Sequence, residues 1–283
     1  MMMTNFIRKV CRTLRCQYRH IEMRVARMLG NNCYDKVRFR QAVGYSLHYD
    51  NPQTLNEKLM WLNRYWQPQL KADCTDKYRV RKYVSEVGLN HILIPLYGVY
   101  TDANAIDFSK LPNTFVLKCN HGCGQNIFCR DKQVFDTEQA RKQLNKWLQV
   151  DYSKVAGERH YAKIQPCVIC EELISETPPL EYQFWCVNGT PDSCLVCRKN
   201  MDGSYDSWSY SLVWERLNER ISENTEDVTQ PVEYMEMQHY AACLAKPFPF
   251  VRVDFYCENH MIYLAELTFT GGYFIKSLQR IVS

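Results

Sequence analysis

An α+β fold with mostly antiparallel sheets is predicted for this 283-residue chain, on three observations. Helical patterns lead, from residue 6 to residue 88, and strand patterns mixed with helices follow. The strand candidates stand in neighbouring pairs, and Asn188-Gly189 between two of them is a strong hairpin signal. No internal repeat or low-complexity tract breaks that order.

The elements follow in turn. Residues 6–29 place Ile7, Val10, Cys11, Leu14, Tyr18, Ile21, Val25 and Met28 on one helical face, with arginines on the other. Gly30-Asn31-Asn32 supplies a stop. Such a helix either docks on its own domain or lies on an anionic membrane surface, and a stripe with no Trp and one Phe favours docking. After Pro52, Thr54-Leu-Asn-Glu57 reads as a capping box ahead of an apolar run to Tyr65. Asp76 is an N-cap candidate for a helix that Gly88 ends. Ile92–Tyr100 is β-rich but carries Pro95, which suits an edge strand or a connector. Residues 111–128 read as strand, glycine loop and return strand. Asp136–Val150 is helical, and the polar stretch 151–163 is expected to be a mobile loop. Strands are expected at 167–174, 182–188 and 193–199. A polar loop at 222–233, a helix over Tyr234–Ala245, and strands at 249–257 and 260–269 complete the chain.

Composition excludes a disordered chain, with 46% hydrophobic and 23% charged residues. No apolar run approaches the roughly 20 residues that span a bilayer. The N-terminus lacks the apolar stretch of a signal peptide, so a cytoplasmic location is expected. The net charge of +4 is unevenly spread: residues 1–30 hold seven Lys/Arg against Glu22 alone, a net of +6, and the remainder is −2. That basic segment is a candidate for peripheral contact with the inner face of an anionic membrane. No nucleic acid is expected as a partner.

Among fourteen cysteines, Cys167-Val-Ile-Cys170 and Cys194-Leu-Val-Cys197 have the spacing of zinc sites. Strand residues three apart point to opposite faces, however, so buried thiols in core strands are expected instead.

Two groups of residues carry chemistry. Phe115-Val-Leu-Lys118 brings an amine to the end of an apolar strand, just before Gly122 and Gly124, whose backbone amides are free to converge on an anion. A hairpin with a surface lysine would look the same. Far downstream, Asp254 and Glu266 sit among apolar residues on neighbouring strands. Buried carboxylates need a partner, either Arg252 or a metal; magnesium takes one or two carboxylates plus phosphate oxygens. Cys170-Glu171-Glu172 ends a third strand, as an adenine-contacting edge would, or simply as two exposed acids. Lysine loop and acid pair together are the parts of a nucleoside-triphosphate site.

The ordered set Leu55-Asn-Glu57-Lys, Asp76-Lys77-Tyr, Leu111-Pro…Phe-Val-Leu-Lys118-Cys-Asn-His-Gly122, Phe250-Val-Arg252-Val-Asp254-Phe-Tyr and Glu266-Leu-Thr-Phe resembles the TupA-like ATP-grasp family of cell-surface polymer biosynthesis. The resemblance runs from about Asn51 to Thr270. It implies two α+β subdomains that grip ATP, with residues 111–170 as the small lid and 171–283 as the larger subdomain, preceded by a helical region at 51–110 and the basic helix and linker of 1–50. It implies an ATP- and Mg²⁺-dependent carboxylate–amine ligase working through an acyl phosphate. By position, Lys118 would contact phosphates and His121, Gly122, Cys123, Gly124, Gln125 and Asn126 would cover them. Glu171 and Glu172 would meet adenine and ribose, Asp254 and Glu266 with Thr268 would hold Mg²⁺, and Arg252 would face the transferring phosphate or the carboxylate substrate. Two departures from the family pattern are Gln183, where relatives carry lysine, and the short stretch after Thr270. A glycosyltransferase using the acids to hold a nucleotide-sugar, and a silent nucleotide-binding scaffold, are the competing functions.

Overall fold

The computed structural model describes residues 21–200, 202–217 and 227–270. The helix expected at 6–29 is therefore seen only from residue 21, and the loop expected at 222–233 only from residue 227. The chain divides into two compact units, one holding the described residues up to Trp66 and the other Gln67–Gly271.

The first unit is helical. Residues 21–28 form a helix, Gly30 turns the chain with φ 102°, and α1 (Asn31–Val43) starts at once. Gly30-Asn31-Asn32 is thus a joint between two helices, where the sequence suggested a stop. The sequence hid α1 because it is polar almost throughout, burying only Tyr34, Asp35 and Phe39. Asp35 is buried because the Tyr49 hydroxyl donates to it at 3.0 Å. The capping box forms as predicted at the start of α2 (Leu55–Tyr65): the Thr54 hydroxyl accepts from the Glu57 amide and the Glu57 carboxylate accepts from the Thr54 amide. Phe39, Leu47, Tyr49 and Met60 make the core of this unit.

In the second unit, the helix expected from Asp76 to Gly88 is present as α4 (Val80–Glu86), and a further helix that the sequence did not suggest, α3 (Gln69–Thr75), precedes it. Asp76 is the hinge. Its carboxylate accepts from the amides of Tyr78 at 2.8 Å and Arg79 at 3.2 Å, the capping role assigned to it, although regular helix begins only at Val80.

A four-stranded sheet follows in the order β1-β4-β2-β3, from β1 (Leu96–Tyr100), β2 (Phe115–Cys119), β3 (Asn126–Cys129) and β4 (Val168–Glu171). All its pairings are antiparallel, and β1 lies on the edge, as Pro95 required. Phe115, Leu117 and Cys119 turn one face of β2 into a core with Ala140, Leu144 and Leu148 of α5 (Thr137–Leu148). Alternation sends Val116 and Lys118 to the opposite face.

The stretch 151–163 corrects the expectation of a mobile loop. It forms α6 (Tyr152–Ala156) and a 3₁₀ turn over Arg159–Lys163. Local hydrogen bonds explain the short helix, since Ser153 donates to the Asp151 carboxylate at 2.6 Å. Burial of His160 beside Tyr161 and Phe269 holds the 3₁₀ turn.

The second sheet runs β7-β6-β5-β8-β9. Its strands are β5 (Glu181–Val187), β6 (Thr190–Lys199), β7 (Tyr205–Ser211), β8 (Phe250–Glu258) and β9 (Met261–Thr268). The Asn188-Gly189 hairpin is present, both residues having positive φ. β7 went unrecognised because serine alternates with its aromatic residues, yet Trp208 and Tyr210 are buried. Helix α7 (Tyr234–Ala245) covers one face of this sheet by packing on β5, β6 and β8. Phe184, for instance, meets Tyr234 with ring centroids 5.5 Å apart. Cys194 lies opposite Phe184 on this side, whereas Cys197 lies opposite Glu181 on the other, so the Cys194–Cys197 pair straddles the sheet. Among the described residues, no group of three or more His, Cys, Asp or Glu side chains is placed to hold a metal.

Candidate functional site

Both chemical groups lie on sheet faces turned away from the covering helices. On the smaller sheet, Lys118 stands opposite Ile169, and Glu171 is its diagonal neighbour on β4. Their side chains meet, Nζ to Oε2, at 2.8 Å, and Arg81 approaches the other carboxylate oxygen at 3.3 Å. Glu171 is only 5% exposed. Two cations thus share one buried carboxylate, an arrangement that leaves positive charge for an anionic ligand. Glu172 diverges from this cluster, with its amide donating to the Pro95 carbonyl at 3.0 Å.

The glycine loop is held from both ends. The Cys119 amide donates to the Gln125 carbonyl at 3.0 Å. Asn120 accepts from the Cys167 amide at 2.8 Å and donates to the Gln165 carbonyl at 2.9 Å. The amine of Lys77 reaches the Gly122 carbonyl at 2.7 Å. Gly124 adopts φ +70°, a conformation that favours glycine, and a Cβ on Gly122 would displace the Gln125 amide group. His121 is buried, and burial depresses its pKa below the ordinary imidazole value. Cys123 is exposed at the tip, and Asn126 faces Lys118 across the hairpin.

On the larger sheet, Asp254 pairs in register with Glu266, and Arg252 with Thr268. Asp254 is fully buried. Arg252 embraces it with two hydrogen bonds, Nε to Oδ1 at 2.7 Å and Nη2 to Oδ2 at 2.5 Å, and the same Nη2 lies 3.4 Å from Glu266. The Thr268 hydroxyl donates to Glu266 at 2.6 Å. Burial pushes the Asp254 carboxyl upward against the pull of Arg252. At Arg252 burial opposes the charge, but Asp254, Glu266 and Glu181 together raise the guanidinium above its ordinary value. Glu266 differs: burial works against its charge, yet Lys77, Arg252 and Thr268 hold its pKa below the ordinary carboxylate value. Both partners foreseen for the acids can therefore be weighed. Arginine pairs with them here, and two hard carboxylates converging on one cation with a hydroxyl alongside also suit magnesium, which completes its shell with phosphate oxygens and water.

Gln183 sits in register with Asp254 and donates to Glu181 at 3.1 Å. A lysine there would stand directly across from Asp254. With the neutral amide in its place, Arg252 is the cation that neutralises this carboxylate.

Lys77 connects the two groups, bonding the glycine loop while its charge acts on Glu266. A pocket lined by Lys77, Arg81, Lys118, Glu171, Ile94 and Leu264 lies between strands of the two sheets. Sequence reasoning gave no role to Lys77 or Arg81. Their i, i+4 spacing across the Asp76 turn was the available signal, but only the fold shows that both turn toward Lys118 and Glu171.

The model of the TupA-like ATP-grasp family matches residues 57–280. No curated protein matches the chain. Among solved structures, L-amino acid ligase from Bacillus licheniformis is similar with a TM-score of 0.50 and 12% identity, over 81% of this chain and 54% of that one. D-alanine–D-alanine ligase from Bacillus anthracis, complexed with ATP, has a TM-score of 0.47 and 16% identity over 73% of this chain and 59% of that one. The ADP complex of N5-carboxyaminoimidazole ribonucleotide synthetase has a TM-score of 0.48 and 15% identity over 77% and 52%. The chain thus spans between half and three-fifths of the length of these structures. The family match identifies the chain as ATP-grasp, and the similarity to the amino acid ligase is one of fold.

Proposed function

Since this chain belongs to the TupA-like ATP-grasp family, we propose that it is an ATP-dependent ligase that joins a carboxylate to an amine on precursors of a bacterial cell-surface polymer. The observation that carries this reading is the cation-lined pocket holding Lys118, Arg81 and Lys77 next to strands that bear Asp254 and Glu266. In this reading the four-stranded sheet is the lid subdomain of 111–170, with β1 added at its edge, and the five-stranded sheet belongs to the larger subdomain of 171–283.

The chemistry follows from charge. A carboxylate is a poor electrophile, so an oxygen of the substrate carboxylate attacks the γ-phosphorus of ATP and ADP leaves. The amine nitrogen then attacks the acyl carbon and expels phosphate; an amide, ADP, phosphate and a proton result. Lys118, released from Glu171, neutralises phosphate oxygens, and the loop from His121 to Asn126 lies over them. Glu171 and Glu172, at the end of β4, would meet adenine and ribose. Arg252 offsets charge on the transferring group or holds the substrate carboxylate. A magnesium ion held by Asp254, Glu266 and Thr268 would neutralise and orient the phosphoryl oxygens.

Calorimetric titration separates the classes: ATP with Mg²⁺ binds, and a nucleotide-sugar does not. ADP release that requires both a uronic acid or amino-acid carboxylate and an amine identifies the ligase. Binding of a nucleotide-sugar in place of ATP would sink this reading in favour of glycosyl transfer.

A further inference from the structure

The helix of residues 21–28 docks by an unexpected face. Glu22 pairs with Arg40 and accepts from Gln41 at 2.7 Å, and Ala26 is buried. At 3.6 residues per turn, Ile21, Val25 and Met28 lie on the side away from Ala26 and are 60%, 49% and 87% exposed, and Leu29, just past the helix end, is 71% exposed. Ile21, Val25 and Met28 belong to the apolar stripe that a docked helix would have buried. Arg24 lies exposed along one border of this face, with Arg27 beyond it.

Taken alone, the stripe lacks the aromatic residues common at membrane interfaces. The fold supplies them. Arg64 of α2 donates to Asn32 at 3.0 Å, which places α2 at the joint directly after Leu29. On α2, Trp61 and Tyr65 are 38% and 53% exposed with rings 5.3 Å apart. The Arg64 guanidinium lies 5.4 Å from the Tyr65 ring centre. Exposed aliphatic residues, amphipathic aromatics and arginines therefore occur together in one unit.

We propose that this surface is a lipid-docking face that seats the protein on an anionic bilayer. Charge complementarity commits it to that occupant: residues 1–30 carry a net +6, while the remainder of the chain is −2. A basic segment of this kind is attracted to anionic headgroups, and exposed apolar side chains enter the acyl boundary. The inference does not depend on the ligase reading.

The test is co-sedimentation of the full chain with phosphatidylcholine vesicles with and without phosphatidylglycerol, at low and high salt. Wild type binds the anionic vesicles, and binding weakens as salt rises. Arg24→Gln weakens binding about fivefold, the loss expected for one basic residue. Met28→Glu with Leu29→Glu weakens it at least tenfold, and Trp61→Ala with Tyr65→Ala weakens it measurably. An unchanged melting temperature shows that each variant is folded, and nucleotide titration of the same samples reads the ligase hypothesis separately. Equal binding to neutral vesicles, no binding by wild type, or self-association through these residues without vesicle binding would overturn the proposal.

Discussion

Asp254→Asn and Glu266→Gln remove the same charge from adjacent strands but should differ sharply in effect. Asp254 is wholly buried and holds Arg252 through two hydrogen bonds, with the arginine side chain only 13% exposed. Breaking one side of a buried pair costs about 3–5 kcal/mol, because the other charge remains without compensation. Glu266 and Glu181 still act on Arg252, which moderates the loss toward about 3 kcal/mol. For a unit of about two hundred residues that is roughly a 6–12 °C fall in melting temperature. Glu266 is 35% exposed and sits 3.4 Å from Arg252, so solvent screens its pairing and Gln should cost under about 1 kcal/mol. If Glu266 holds magnesium, however, Gln should abolish the ligand-induced stabilisation, which is about 2.7 kcal/mol at a hundredfold excess over Kd. Thermal melts of wild type and both variants, with and without ATP–Mg²⁺, read these quantities together. Retention of the full ATP–Mg²⁺ shift by Glu266→Gln would refute the metal role, and an Asp254→Asn melt within 1 °C of wild type would refute the structural argument.

Lys118→Ala should leave a folded protein, since Arg81 still faces Glu171 at 3.3 Å, but should weaken ATP binding at least tenfold by calorimetry; unchanged affinity removes Lys118 from the phosphate site. Lys71 is fully buried, and burial depresses its pKa to about 7. Between about pH 7 and its unfolded value near 10.4 the unfolded chain holds the Lys71 proton and the folded chain does not, so the contribution of Lys71 to stability should rise with pH across that window. Denaturant titrations across this window should show wild-type stability gaining with pH relative to Lys71→Met; a constant difference between the two excludes the titration of Lys71. Metal analysis of the reduced protein should return no stoichiometric zinc, because Cys194 and Cys197 lie on opposite faces of β6; one zinc per chain contradicts that geometry.

Local signals accounted for much of the fold. The Thr54–Glu57 capping box, the Asn188-Gly189 turn, Pro95 just before an edge strand and the Lys118 hairpin each depend on residues within a few positions of one another. Such interactions form wherever their sequence occurs, so they were legible one by one. The ordered motifs likewise carried the family and the candidate residues. Elements stabilised by distant packing were not legible: α1 looks like a solvated polar stretch until Tyr49 and the core around Phe39 are in place, and 151–163 looks like a loop until His160 is buried. The partner choices of the charged residues also waited for the tertiary structure. Sequence placed Arg252, Asp254 and Glu266 near one another, but strand register decided that the guanidinium lies against both acids. Nothing local joins Lys77 to Gly122, forty-five residues away, or turns the N-terminal stripe outward by docking Glu22 on Arg40. The physical reason is range: backbone propensity and capping act over one or two turns, whereas burial and ion pairing depend on which surfaces the completed chain brings together.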